Sequence, residues 1–166
     1  KEKHKILEVG CGAGALLKLF EDQNIYGIDP SNKYINIIKK ALPYGNFKIG
    51  DALSIDSYDN SYFDIIFCHS CIQYFKDYNY FNKFIKLCYK KLKPNGHLCL
   101  TDLQNLDKKE KYIIHRKKVI GEKIYKEKYE NTNLQHFYIS KKKIISSLCN
   151  NFHSIKFTNA VKRGIE

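Results

Sequence analysis

Short apolar runs alternate with stretches of helical periodicity along the first two thirds of the chain. The run Ile6-Leu7-Glu8-Val9 holds one acid and reads as a buried strand. Gly10, Gly12 and Gly14 follow, each separated by one residue. Ala15-Leu16-Leu17-Lys18-Leu19-Phe20 then reads as a helix. Ile25-Tyr26-Gly27-Ile28 is a second strand with Asp29 at its carboxyl end. A helix is predicted over 32–42, capped by Ser31 and stopped by Pro43. Asn46-Phe47-Lys48-Ile49 is a third strand, ending in Gly50-Asp51-Ala52. After a polar loop over 56–61, the run 62–68 is apolar enough to be a central strand. Residues 80–92 show apolar residues at Phe81, Phe84, Ile85, Leu87, Cys88 and Leu92, an amphipathic helix. A turn at Lys93-Pro94-Asn95-Gly96 leads into a fifth strand over 97–102.

Beyond 102 the pattern loosens. Charged residues with interleaved Tyr and Ile predict a helical insert or lid over about 103–139. No Gly/Ser-rich linker isolates it, so residues 1–166 are read as one domain. Ser140 caps a helix over 140–149, residues 152–157 read as a strand, and 158–166 as the start of a last, incomplete one.

Strand–helix alternation predicts an α/β fold with a parallel sheet and right-handed crossovers. Ligands of such sheets bind outside the carboxyl ends of the strands. Acids recur at that edge: Asp29, Asp51 and Asp102, with Glu8 late in the first strand. The glycines let backbone turn sharply and touch a ligand directly. Gly10, Gly12 and Ala15 also satisfy the looser dinucleotide pattern, and a tight turn with no ligand explains them as well. The acidic rim disfavours a phosphate-rich dinucleotide and favours a ligand with hydroxyls, amines and positive charge.

Composition narrows the partners. A length of 166 residues and 43% hydrophobic content suit one soluble globular domain. No apolar stretch is long enough to span or anchor in a membrane, and no export signal is visible, so a cytoplasmic location is expected. The chain opens without methionine and contains none, so a missing upstream segment is expected. The net charge of +12 allows a nucleic-acid partner. The lysines are spread thinly, however, among abundant Ile, Asn and Tyr, as a skewed base composition would produce. Most cysteines fall in apolar segments, as small buried hydrophobes do. Cys68 and Cys71 form a C-x-x-C pair. A zinc site would need a second ligand pair, which is missing. A redox pair would open a helix, whereas Cys68 ends a strand. No metal is expected.

Five elements in register resemble class I S-adenosylmethionine-dependent methyltransferases, of the type 11-like kind. Leu7-Glu8-Val9-Gly10-Cys11-Gly12-Ala13-Gly14 resembles the family's first motif. Gly27-Ile28-Asp29-Pro30-Ser31 resembles the second-strand motif, and Gly50-Asp51-Ala52 the third. Phe63-Asp64-Ile65-Ile66 and Leu92-Lys93-Pro94-Asn95-Gly96-His97 resemble the fourth-strand entry and the fifth-strand turn. The resemblance spans residues 5–102 and thins beyond. It implies a Rossmann-like, mostly parallel seven-stranded sheet with helices on both faces, open at its termini. It also implies S-adenosylmethionine as cofactor. Gly10, Cys11 and Gly12 would touch its amino-acid and ribose parts. Asp29 would accept from the ribose hydroxyls, Asp51 and Ala52 would flank adenine, and Pro30 would lie on the adenosine. Glu8 would brace the loop, or serve only as a structural bridge. Cys68 completes the cofactor set.

The acceptor side is less defined. The Asn-Pro-Pro-Tyr-like motif of amino-methylating relatives is replaced by His69-Ser70-Cys71-Ile72. The proline-flanked cysteine of cytosine-C5 enzymes is also missing. A small-molecule acceptor is therefore expected over RNA or protein, with a non-catalytic binding module as a further alternative. His69 is the candidate general base or a pocket-lining residue. Tyr74, His136 and Tyr138 are candidates for the acceptor wall, or plain packing.

Overall fold

The computed structural model describes residues 2–130 and 136–158. Five strands form one sheet: β1 (Lys5–Val9), β2 (Asn24–Asp29), β3 (Asn46–Ile49), β4 (Phe63–His69) and β5 (Leu92–Thr101). Their order is β3-β2-β1-β4-β5, and every pairing is parallel. The chain thus starts in the middle, winds outward to β3, and then crosses back to β4 and β5. That reversal beside β1 is where such sheets open a crevice at their carboxyl ends.

Alternation along β1 explains the two cores. Leu7 and Val9 join one cluster with Ile28, Phe63, Ile66 and the helix α2 (Tyr78–Lys91), through Phe81, Phe84 and Ile85. Ile6 points to the opposite face and packs with Leu17, Ile25 and the helix α1 (Asn32–Ala41), through Ile35 and Ile38. Glu8 shares the side of Ile6 by the two-residue period of a strand. Both helices start at side-chain caps: Ser31 accepts from the Tyr34 amide and Asp77 from the Tyr80 amide.

The sequence expectations hold for the central sheet and fail at identifiable points. Residues 15–20 are not an α-helix; only Leu17–Phe20 coil, as a 3₁₀ turn. Leu17 and Phe20 are three residues apart, the spacing that a 3₁₀ turn brings to one side. Leu17 is fully buried and Phe20 stacks on Phe67 at 5.4 Å between ring centres, so one turn satisfies both. The turn at 93–96 is a bulge within β5: Phe63 pairs with Leu92 but Ile65 with His97. Asn95 takes a φ of 65° there.

The expected seven strands are five among the described residues. The predicted strand over 152–157 is irregular chain. Phe152 and Ile155, three residues apart, pack against the core cluster, and no strand among the described residues offers them a ladder. The expected final strand lies outside the described residues, apart from Thr158, which is irregular.

The segment predicted as an insert is helical, with α3 (Lys109–Ile120), α4 (Glu122–Tyr125) and a wider turn over Lys126–Glu130. Residues after it return to the body. Phe137 N–H donates to Gln73 O at 2.8 Å, and Ile139 N–H to Gln104 O at 3.0 Å. Helix α5 (Lys141–Cys149) follows, capped by Ser140 as expected. No helix among the described residues is long and apolar enough to cross a membrane.

Candidate functional site

The glycine turn after β1 is tied to the end of β2. Gly10 and Cys11 amides donate to Ile28 O at 2.8 and 3.1 Å. The Gly12 amide donates to Asp29 Oδ2 at 2.9 Å, and the Ser31 amide to Asp29 Oδ1 at 2.8 Å. The Asp29 carboxylate thus pins the loop on one side and starts α1 on the other. Gly10 and Gly12 have φ of 76° and 49°, the left-handed region where a side chain is strained. A Cβ on Gly10 would lie 2.7 Å from Cys71 Cβ and Sγ, whereas one on Gly12 would meet nothing within 4 Å. The loop therefore packs against the chain after β4 at Gly10 and opens into free space at Gly12.

Two carboxylates, Asp29 and Glu8, lie close together beside this turn. Glu8 is 3% exposed and its Oε2 has no hydrogen-bond partner. Burial, and then the neighbouring Asp29 charge, push its carboxyl from an ordinary 4.5 up to about 8. The same burial, with the Glu8 and Asp29 charges, pushes the Cys11 thiol up to about 12. Gly50 N–H donates to Asp29 O at 3.1 Å, which sets Asp51 beside the cradle. Asp51 Oδ1 accepts from the amides of Leu53 and Ser54 and from Ser54 Oγ, capping the 3₁₀ turn Ala52–Ser57. Burial and the Asp51 carboxylate push the Tyr80 phenol up to about 12.

The remaining sequence candidates divide by position. Pro30 is exposed next to Asp29, and Ala52 is buried at the start of its turn. Cys11 and Cys68 are buried side chains, with Cys11 Sγ against Gly27 and Cys68 in the core beside Cys88. His69 is exposed at the end of β4, its Nδ1 2.8 Å from Thr101 Oγ1. Tyr74 is 59% exposed and meets His136 edge to face, with ring centres 5.6 Å apart. His136 Nδ1 is buried without a partner, and burial, then the Arg116 charge, lower its pKa. Tyr138 lies under the Lys109 ammonium, 5.1 Å from its ring centre. The structure thus brings Tyr74 and His136 together and puts Tyr138 on the α3 side.

Two features carried no sequence signal. Ser70 Oγ donates to Asp102 Oδ2 at 2.6 Å, joining the ends of β4 and β5. Both residues have positive φ, 51° and 57°, although neither is glycine. Strain of this kind costs about 1–3 kcal/mol and persists where the surroundings impose it. Arg116 is the second: its guanidinium sits between the rings of Tyr112 and Tyr129, at 4.4 and 4.8 Å. Tyr129 in turn packs on His136, so the wall beside Tyr74 runs into the insert. Among the described residues, no group of three or more His, Cys, Asp or Glu is placed to hold a metal ion.

A family model described as a methyltransferase domain matches residues 7–100. A malonyl-[acyl-carrier protein] O-methyltransferase from Calditerrivibrio nitroreducens is 38% identical over 96 residues, which is 58% of this chain and 37% of that one. A phosphoethanolamine N-methyltransferase from Plasmodium falciparum is 28% identical over 128 residues, or 70% of this chain and 47% of that one. The chain therefore spans between a third and a half of these two relatives. Among solved structures, the YcgJ protein from Bacillus subtilis superposes with a TM-score of 0.69 at 19% identity, covering 91% of this chain and 62% of its own.

Proposed function

Because the chain belongs to the methyltransferase-domain family, we propose that it transfers a methyl group from S-adenosylmethionine to a small-molecule acceptor. The observation that carries this reading is the buried Glu8 Oε2 without a partner, beside Asp29 and a glycine turn open at Gly12. An acid held out of water and unpaired favours a cationic ligand. S-adenosylmethionine fits: it brings an ammonium and a sulfonium, ribose hydroxyls and an adenine amine. When bound, it supplies an electrophilic methyl group.

The chain's own residues then have defined tasks. Gly10, Cys11 and Gly12 give backbone contact to the amino-acid and ribose parts. Asp29 accepts from the ribose hydroxyls with the lone pairs its two backbone bonds leave free. Asp51 Oδ2 would accept from the adenine amine, Ala52 would give the backbone next to it, and Pro30 would contact the adenosine. Glu8 would balance the cofactor's positive charge, and Cys68 would contribute backbone to its site. On the acceptor side, Ser70 and Asp102 hold the ends of β4 and β5 together, and His69 beside them takes the proton of an acceptor that must lose one. Tyr74, His136 and Tyr138 shape the wall that seats it. In-line displacement requires the attacking atom about 3–3.5 Å from the methyl carbon, so positioning is the main task of these residues.

Relatives act on a malonyl acyl-carrier protein, a demethylmenaquinone and phosphoethanolamine, to judge by their names. The last is a small molecule, as this reading requires of the acceptor. Titration calorimetry with S-adenosylhomocysteine tests the cofactor, and methyl transfer to a panel of those acceptors tests the rest. Binding of NADH with indifference to S-adenosylhomocysteine would overturn the reading. Asp29→Ala is expected to weaken S-adenosylhomocysteine binding by about 1–3 kcal/mol, the worth of hydrogen bonds to a charged group. Unchanged affinity would remove Asp29 from the ribose site.

A further inference from the structure

Lys109, Tyr112 and Arg116 recur at helical spacing along α3, so their side chains share one face. That face meets the chain returning from the insert. The Lys109 ammonium lies 5.1 Å from the Tyr138 ring centre, and the Arg116 guanidinium reaches the Tyr129 ring. Tyr129 packs on the buried Tyr125, with ring centres 5.2 Å apart. Its edge contact to His136, and that of His136 to Tyr74, carry the wall to the turn Ile72–Tyr74. Cys71 opens that turn and lies against Gly10. Arg116 therefore stands at the far end of a wall that begins beside the glycine turn.

Arginine is a rare choice in this chain. Only Arg116 and Arg163 are arginine among 29 lysines and arginines. A lysine would carry the same charge, but a planar guanidinium stacks between two rings and still presents its N–H groups as a fork. Of that fork, Nη2 donates to Tyr112 Oη at 2.6 Å. No carboxylate among the described residues pairs with Arg116, and the insert's Glu122 and Glu130 pair with Lys117 at 3.7 and 3.2 Å. His136 Nδ1 is buried and has no hydrogen-bond partner among the described residues. Burial, and then the Arg116 charge, lower the His136 pKa, so the two groups are near enough to interact. A clamp that only pins α3 would explain the stacking. It would leave unexplained the fork without an acceptor and the orphaned imidazole nitrogen near it.

We propose that Arg116 binds a terminal oxyanion of the methyl acceptor, a phosphate or a carboxylate, at the insert end of the Tyr74–His136 wall. The inference deepens the methyl-transfer reading and rests on it for the identity of the site. Carboxylates and phosphates accept two parallel N–H bonds from a guanidinium. Lys109, on the same face of α3, adds a second positive charge. Asp29 and Asp102 at the strand ends repel the same anion. Opposite charge at the two ends of the wall thus orients the acceptor, with its anion toward α3 and its reacting atom toward the sheet.

The test is calorimetry on the whole chain saturated with S-adenosylhomocysteine. Two probe pairs differ in the oxyanion: phosphoethanolamine against ethanolamine, and malonate against malonamide. In at least one pair the oxyanion-bearing member should bind roughly 10-fold or more tighter than its partner, the worth of a hydrogen bond to a charged group. The pair that shows the preference distinguishes phosphate from carboxylate. Arg116→Gln should erase that preference. Arg116→Lys should keep only part of it, because the charge stays and the fork goes. Should Arg116→Gln fail to fold, the parent chain still decides. Phenylglyoxal labelling of Arg116, read by peptide mapping, should slow several-fold under the preferred anion, while labelling of Arg163 should not. Equal binding within both pairs, a preference that survives Arg116→Gln, or equal protection of Arg116 and Arg163 would overturn the proposal. Failure of the chain to bind S-adenosylhomocysteine would sink the cofactor reading, while protection of Arg116 in the chain alone would still decide the anion site.

Discussion

Replacing Glu8 by glutamine is expected to remove a pH dependence of stability worth roughly 4–5 kcal/mol, at about 1.4 kcal/mol per pH unit. Glu8 titrates at about 8 in the folded chain against an ordinary value of 4.5, because burial and then Asp29 disfavour its charge. The folded state therefore holds a proton that the unfolded chain has released between these values. Stability falls with rising pH wherever the native state binds more protons. The contribution of Glu8 is fully present below about pH 4.5 and is lost as the pH rises through about 8. Urea midpoints measured across that window should decline for the parent chain and stay flatter for Glu8→Gln. A parallel decline in both would show that Glu8 is not the group responsible. A cationic ligand beside the carboxylate favours its charged form. S-adenosylmethionine binding near neutral pH should then release a proton, visible as a binding enthalpy that changes with the buffer's ionisation enthalpy.

The second large effect is expected at Lys91. Its side chain is 6% exposed, and its Nζ donates to Asp56 O at 3.1 Å, Tyr58 O at 2.7 Å and Asn60 Oδ1 at 3.1 Å. Asp56 also pairs with it at 3.2 Å, but that carboxylate is 69% exposed. Lys91 thus ends α2 by clasping the loop that starts from Asp51. Lys91→Met keeps the apolar stem and removes the donors. The oxygens it serves are part-buried, and a hydrogen bond to a charged group contributes about 1.5–3 kcal/mol, so a loss of about 2–4 kcal/mol is expected. Asp56→Ala should cost under about 1 kcal/mol, as exposed pairs do. Chemical denaturation checks both, and equal losses would show that the ion pair, not the carbonyl clasp, holds the loop. Because Asp51 lies on that loop, Lys91→Met should also weaken S-adenosylhomocysteine binding more than Asp56→Ala does.

Most of the sheet was legible because its signals are local. β3 occupies the residues expected of it, and Ser31, Ser140 and Pro43 bound their helices as their chemistry dictates. The reading failed where pairing partners decide. Residues 152–157 read as a strand, yet no strand among the described residues pairs with them, and Phe152 and Ile155 turn to the core instead. Residues 15–20 have helical composition, but Leu17 and Phe20 find their contacts within a single 3₁₀ turn.

The candidate site divides the same way. The sequence by itself determined the glycine turn, the order of carboxylates along the strand ends and the family they resemble, because adjacent residues and the strand period set them. It took the folded sheet to leave Glu8 Oε2 unpaired, to bring Ser70 to Asp102 across two strand ends, and to lay Cys71 against Gly10. Each of these joins atoms distant along the chain. Burial and charge proximity, which set how they titrate and react, exist only once the sheet has closed around them.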